Sequence, residues 1–233
     1  MKICLFSLPD LPVGKQSIKD ERLDQVDKIT KSKKKTYIQV ELTKDGEILD
    51  ADVVVSLKES RADLILSDLD FVENRMEKAV DPIEKGLLVK FKDVLEKEGL
   101  LSSVILSEEE KKVISGYGLV TLKPVVLVDK EELEDKEGFI FKAFQNSGFS
   151  SFFTTGEKET RAWLIKKGST AYDASGQIHS DIQKGFIRAE IISFNDFVQY
   201  NGETGAKQAG KLRLEQKDYI MQDCDLANFR FNK

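Results

Sequence analysis

Residues 59–99 impose the strongest local constraint on this chain. Ile65, Leu69, Val72 and Met76 recur at alternating spacings of four and three, and Ile83, Leu87, Phe91 and Val94 resume a similar spacing after Asp81-Pro82. A narrow apolar seam of that period belongs to helices that pack on one another. Proline opens a helix far better than it continues one. The stretch therefore predicts an antiparallel helical hairpin that ends at Gly99, its tip a candidate partner site.

Strand signals surround the hairpin. Lys2 to Leu8 is a compact apolar run closed by Pro9, and Asp52 to Leu57 and Pro124 to Val128 are similar. Asp20-Glu21-Arg22-Leu23-Asp24 opens a helix whose first-turn acids suit the helix dipole. A basic cluster, Lys28, Lys31, Lys33, Lys34 and Lys35, marks its end. Tyr37 to Leu42 alternates like a strand, and Lys44-Asp45-Gly46 reads as a hairpin turn of the Asp-Gly kind. Ser107-Glu108-Glu109-Glu110 is a capping box. Beyond residue 151 the acidic excess disappears and short strands dominate: 152–154, 161–165, 185–192 and 226–231. The expected division is 1–150 and 151–233, the second part being a small mixed sheet with one or two helices.

Composition removes several classes of function. The 233 residues hold two cysteines and one histidine, too few ligands for a structural zinc site. Neither a metal nor a cofactor is expected. The net charge of −5 argues against a uniformly basic nucleic-acid binder, and sequence-specific DNA binding is not expected, although a local basic patch remains open. The opening apolar run is too short for a signal peptide, and no segment approaches the roughly 20 apolar residues of a membrane span. The expected location is the cytoplasm, away from membranes. Oligomeric state is not legible.

The C-terminal third carries a specific pattern. It runs from Phe152-Phe153-Thr154-Thr155-Gly156-Glu157-Lys158-Glu159-Thr160-Arg161-Ala162-Trp163 through Gly176-Gln177-Ile178-His179-Ser180-Asp181 and Lys184-Gly185-Phe186-Ile187-Arg188-Ala189-Glu190. It continues through Ala206-Lys207-Gln208-Ala209-Gly210-Lys211 to Phe229-Arg230-Phe231-Asn232. This pattern resembles the TGS domain of the YchF or Obg-like ATPases. The resemblance implies a β-grasp, ubiquitin-like fold for this part. Fainter similarity runs upstream in the same order, at Asp20-Glu21-Arg22-Leu23-Asp24, at Ala62 to Leu69 and at Leu122-Lys123-Pro124-Val125. The resemblance thus implies an α+β chain: a reduced α/β remnant of a P-loop domain carrying the hairpin, then the TGS-like domain. A complete ATPase of that family is longer, so the chain is expected to be a shortened member.

The family's chemistry needs three motifs. The phosphate loop, G-x-x-x-x-G-K-[ST], cradles phosphates on backbone amides and holds a metal through its hydroxyl. Its remnant here is Gly14-Lys15-Gln16, with Pro9 where the first glycine belongs and glutamine at the hydroxyl position. The Asp-x-x-Gly that follows a strand is reduced to the adjacent pair Asp45-Gly46. The base-reading Asn-x-x-Glu is replaced by Asp129-Lys130-Glu131-Glu132. Three altered motifs together lead to the expectation of a non-enzyme. His179, with Ser180 and Asp181, reads as a turn or cap, and Cys4 and Cys224 read as packing residues.

The resulting expectation is a binding protein that docks on RNA, the ribosome or a translation-related protein through the TGS-like domain and the hairpin. Lys33, Lys34, Lys35, Lys166, Lys184 and Arg188 are its candidate contacts, because clustered cations meet phosphate. The competing expectation is a residual ATP- or GTP-binding protein with weak or no hydrolysis.

Overall fold

The computed structural model describes residues 1–8 and 10–232. The strands are β1 (Lys2–Phe6), β2 (Gly14–Ser17), β3 (Lys35–Thr36), β4 (Gln39–Thr43), β5 (Val53–Leu57), β6 (Val125–Val128), β7 (Phe149–Thr154), β8 (Thr160–Lys166), β9 (Phe186–Ile192), β10 (Arg213–Glu215) and β11 (Asp225–Phe231). The helices are α1 (Glu21–Thr30), α2 (Arg61–Met76), α3 (Pro82–Glu96), α4 (Glu108–Val113), α5 (Lys136–Gln145), α6 (Ala171–Ile178), α7 (Ser180–Lys184), α8 (Phe194–Gln199) and α9 (Glu203–Gln208). They form two compact units, residues 1–16 with 40–147 and residues 17–39 with 148–233.

The first unit is built on a sheet of order β2-β4-β1-β5-β6. β1 is parallel to both β4 and β5, with Ile3 opposite Leu42 on one side and Val53 on the other. β6 is parallel to β5. Ile3, Cys4, Leu5 and Val53 to Val55 are all buried, the continuous apolar content of parallel strands covered on both faces. This overturns the hairpin expected at Lys44-Asp45-Gly46. Two strands flanking a common parallel neighbour require a crossover, and Asp45–Asp50 form a 3-10 turn within it.

α3 returns along α2 in the same unit. Glu73 pairs with Lys92 at 2.7 Å and Arg75 with Glu84 at 2.6 Å, while Arg61 donates to the Glu98 carbonyl. Their shared core contains Ile65, Val72, Leu87, Leu88, Phe91 and Leu95. Asp81 caps α3 by accepting from the amides of Ile83 and Glu84, with Pro82 in the first turn. Ile83, expected in the seam, is exposed, and Leu88 and Leu95 are buried in the stripe instead. The buried face thus follows the helical period rather than a strict heptad.

The second unit holds a sheet of order β10-β9-β11-β7-β8-β3. β7 and β8 are antiparallel neighbours, and β11 lies parallel to β7 and antiparallel to β9. Ala171 and Ala174 of α6 pack with Phe152, Ile165, Ile191 and Phe229. Residues 17–39, read from sequence as part of 1–150, fall in this unit. Asp20 caps α1 by accepting from the Arg22 amide, and Lys31 closes it in the left-handed region, φ 53°. The lysines that follow lead into β3, which begins at Lys35, rather than forming a helix end. The Lys33 amide donates to the Glu157 carbonyl (3.1 Å), the Thr160 amide to the Lys34 carbonyl (2.9 Å), and β3 pairs parallel with β8. Among the described residues, no helix is long and apolar enough to cross a membrane.

Candidate functional site

β1, β4, β5 and β6 are mutually parallel, so their carboxyl ends share one edge of the sheet. The strand order reverses at β1, whose two neighbours follow it in the chain on opposite sides. Open parallel sheets place ligands at that reversal, outside the carboxyl ends. A cavity of about 490 Å³ lies there, its described lining being Leu5, Ser7, Leu8, Lys44, Asp45 and Gly46. Ser7 leaves β1 in the left-handed region, φ 56°, and its amide donates to Asp45 Oδ1 at 3.0 Å. That bond orients the Asp45 carboxylate beside Lys44, the one cation of the described lining. Thr43, buried at the end of β4, has a hydroxyl with no partner among the described residues.

The same edge continues at β5 and β6. Lys58, after β5, pairs with Asp129, after β6, at 2.5 Å. The Asp129 amide donates to Glu132 Oε2 at 2.7 Å, and Lys142 pairs with Glu132 at 2.6 Å. The hydrogen bond to Asp129 raises the Lys58 ammonium above its ordinary range. Lys142 and the Asp129 amide hold the Glu132 carboxyl below its own. The altered second and third motifs of the sequence therefore lie at the carboxyl-end edge of one sheet.

The phosphate-loop remnant is placed differently. Gly14, φ +104°, and Lys15 lie in β2 rather than at the start of a helix, and neither lines the cavity. Pro9 lies outside the described residues. Sequence reasoning passed over Ser7 and Lys44 because the Asp45-Gly46 turn signal dominated. A lysine and an acid directly after a strand of the parallel set were the available signal. Among the described residues, no three His, Cys, Asp or Glu side chains converge on one point.

The candidate cations of the second unit do not form one patch. Lys33, Lys34 and Lys35 lie at the Thr160 end of β8, while Lys166 ends that strand, about 20 Å away at the usual rise per residue. Lys184 ends α7, and Arg188 is on β9, four strands from β3 in the sheet. Lys35 is held by Asp24 at 2.6 Å, and Lys34 pairs with Glu159 at 3.4 Å. Next to the lysines stands a pair that the sequence did not flag, Arg161 over the ring of Trp163. His179 caps α7, its Nδ1 accepting from the Asp181 amide at 3.1 Å. Cys4 and Cys224 are buried, and burial pushes both thiols up to about 12, far from reactive thiolates.

Comparison with known proteins decides the family. The profile YchF-GTPase_C, described as "Protein of unknown function (DUF933)", matches residues 149–232. The ribosome-binding ATPase YchF of Haemophilus ducreyi is 34% identical over 249 residues, spanning 80% of this chain and 68% of that protein. The chain belongs to the YchF family. The ribosome-binding ATPase YchF of Bacillus subtilis is 30% identical over 246 residues, 78% of this chain and 67% of that protein. The chain spans about two thirds of the length of such relatives. The Schizosaccharomyces pombe YchF GTPase structure shares the fold, with a TM-score of 0.73 at 17% identity over 98% of this chain and 97% of that one. These relatives overturn the expectation of a non-enzyme. Proteins about a third identical over most of this chain are named ATPases, which points to an enzyme.

Proposed function

We propose that this YchF-family chain is a ribosome-associated nucleotide-binding protein that hydrolyses its nucleotide at the carboxyl-end edge of the first sheet. The observation that carries this reading is the cavity at the strand-order reversal, with Lys44 and the oriented Asp45 in its wall. The names of the relatives supply the nucleotide and the ribosome. Lys44 meets the phosphate charge, since phosphoryl transfer depends chiefly on positioning and charge neutralisation. Asp45 lines the cavity, and with Oδ1 held by the Ser7 amide its other oxygen is the acceptor that positions a water. Bound magnesium would neutralise the phosphates. Lys58, Asp129 and Glu132 form the polar rim at the β5 and β6 ends, where a purine base is read.

The second unit is the docking part. Its strand order, with β11 parallel to β7 between two antiparallel neighbours and α6 across the sheet, supports the β-grasp, TGS-like reading. The helical hairpin presents Val80, 84% exposed, near its tip as a second contact. Ribosome association implies the cytoplasm.

Sedimentation of the full chain with purified ribosomes, in magnesium with ATP or GTP, tests the reading together with phosphate release. Co-sedimentation that weakens steeply with salt and nucleotide-dependent phosphate release are expected. A chain that stays in the supernatant at low salt and releases no phosphate contradicts the proposal.

A further inference from the structure

A groove of about 470 Å³ opens in the second unit where β3 and β8 part. β3 meets β8 only at Lys35↔Thr160 and Thr36↔Arg161, whereas β8 continues to Lys166. One wall is the stretch Thr36 to Gln39, the other Arg161 to Leu164, and Gln177 of α6 also lines the groove. Nothing in the nucleotide reading uses it.

The chemistry centres on Trp163, the single tryptophan of the chain. Its indole stacks against Phe152, centroids 6.3 Å apart and planes 14° apart, and its Nε1 donates to Thr154 Oγ1 at 2.9 Å. The Arg161 guanidinium lies 4.1 Å from its ring centre. The indole is therefore engaged by Phe152, Thr154 and Arg161, and the part of this cluster that is cationic, Arg161, lines the groove with its side chain 39% exposed. Nearby acid neutralises Arg161 only weakly. Its ion pair with Glu159 is 4.0 Å long, and Glu159 already accepts from Thr36 Oγ1 at 2.5 Å and pairs with Lys34 at 3.4 Å. Lys34, its side chain 69% exposed, stands at the groove with Lys33 adjacent in sequence, and the exposed amides Gln39 and Gln177 line it.

We propose that this groove binds single-stranded RNA, one base stacking on the Arg161 guanidinium while Lys33 and Lys34 meet the flanking phosphates. A guanidinium fixed on an indole is a preorganised stacking plane, and flat bases stack on such planes in single-stranded recognition. Gln39 and Gln177 each offer donors and an acceptor to base edges. A paired base in a duplex does not expose its face and is not the ligand. An extended peptide would use the open β8 edge but has no need of the guanidinium plane. The choice of RNA over single-stranded DNA rests on the ribosome association proposed above; the groove chemistry does not.

The test is a titration of the full chain with an adenosine-rich RNA of about ten nucleotides, a usual site size, followed by Trp163 fluorescence. Saturable quenching is expected. Arg161→Ala raises the Kd about tenfold, and Arg161→Lys, which keeps the charge and loses the plane, nearly as much. Lys34→Gln lowers the salt dependence by about 0.7 in log–log slope. Thermal melting establishes that each variant is folded. Wild-type Kd values in both folded Arg161 variants overturn the proposal. So do quenching by an acidic peptide with no response to RNA, and a Kd tenfold lower for DNA of the same sequence. Quenching without ribosome co-sedimentation rejects the ribosome reading and leaves the groove standing. Co-sedimentation without quenching does the reverse.

Discussion

Arg22 donates through Nε and Nη2 to both oxygens of Asp20, at 2.9 and 2.8 Å, and through Nη1 to Asp223 at 2.5 Å. Burial alone would push the Asp223 carboxyl up. The Ser151 amide and Arg22 outweigh it, and the carboxyl sits below its ordinary 3.8. A depressed carboxylate contributes its full stability above the ordinary value and loses it as the pH falls through the lowered one. Arg22→Ala should cost about 1–2 kcal/mol at neutral pH, discounted because Asp223 is half exposed. Denaturant melts should show that deficit shrinking below pH 3.8, and a deficit that stays constant into acid contradicts the assignment. The local half of this cluster was legible, since Asp20 before a helix reads as a cap. Asp223 was not, because its partner lies 201 residues away in the chain and no periodic signal links them.

A buried acid ties the hairpin to the turn that precedes β6, beside the apolar contact of Leu64 with Cys4 and Val54. Asp68 of α2, 2% exposed, accepts from the amides of Val120 and Thr121 and from the Thr121 hydroxyl, at 2.8, 2.7 and 2.6 Å. Those groups lie in the 3-10 turn that leads into β6. Asp68→Ala leaves three buried donors without their acceptor and should cost about 3 kcal/mol. Equilibrium urea unfolding measures it, and a loss under about 0.5 kcal/mol, the size of a neutral surface change, refutes the role. The elements themselves were largely readable. Apolar runs located β1, β5 and β6, Ser107 is the cap expected of it, and Pro82 marked the start of α3. Two readings failed for one reason. A turn signal is local and does not report whether the next strand returns beside its neighbour or crosses over, so Asp45-Gly46 looked like a hairpin. Residues 33–36 join the second sheet through a two-residue pairing with β8, and local composition does not encode a partner so distant.

At the scale of the molecule, three altered motifs read from sequence as lost chemistry, whereas relatives a third identical over most of the chain are named ATPases and point the other way. The site proposed at the sheet edge accommodates both. Motif spacing assumes a fixed loop, whereas the ligand edge of a parallel sheet is set by strand order. Lys44, Asp45 and the Lys58–Asp129 pair stand at that edge although the spacing has changed. Lys15, which the motif would make essential, is on β2 and outside the described cavity lining. The phosphate contact therefore falls to Lys44 rather than to Lys15. Titration of a fluorescent ATP analogue in magnesium, on the wild-type chain and on Lys44→Ala and Lys15→Ala, tests it most directly. Loss of a charge-assisted phosphate contact at Lys44 should weaken binding at least about tenfold, and Lys15→Ala should stay within about twofold of wild type. Undiminished binding in Lys44→Ala with loss in Lys15→Ala contradicts the account and returns the phosphates to the motif lysine.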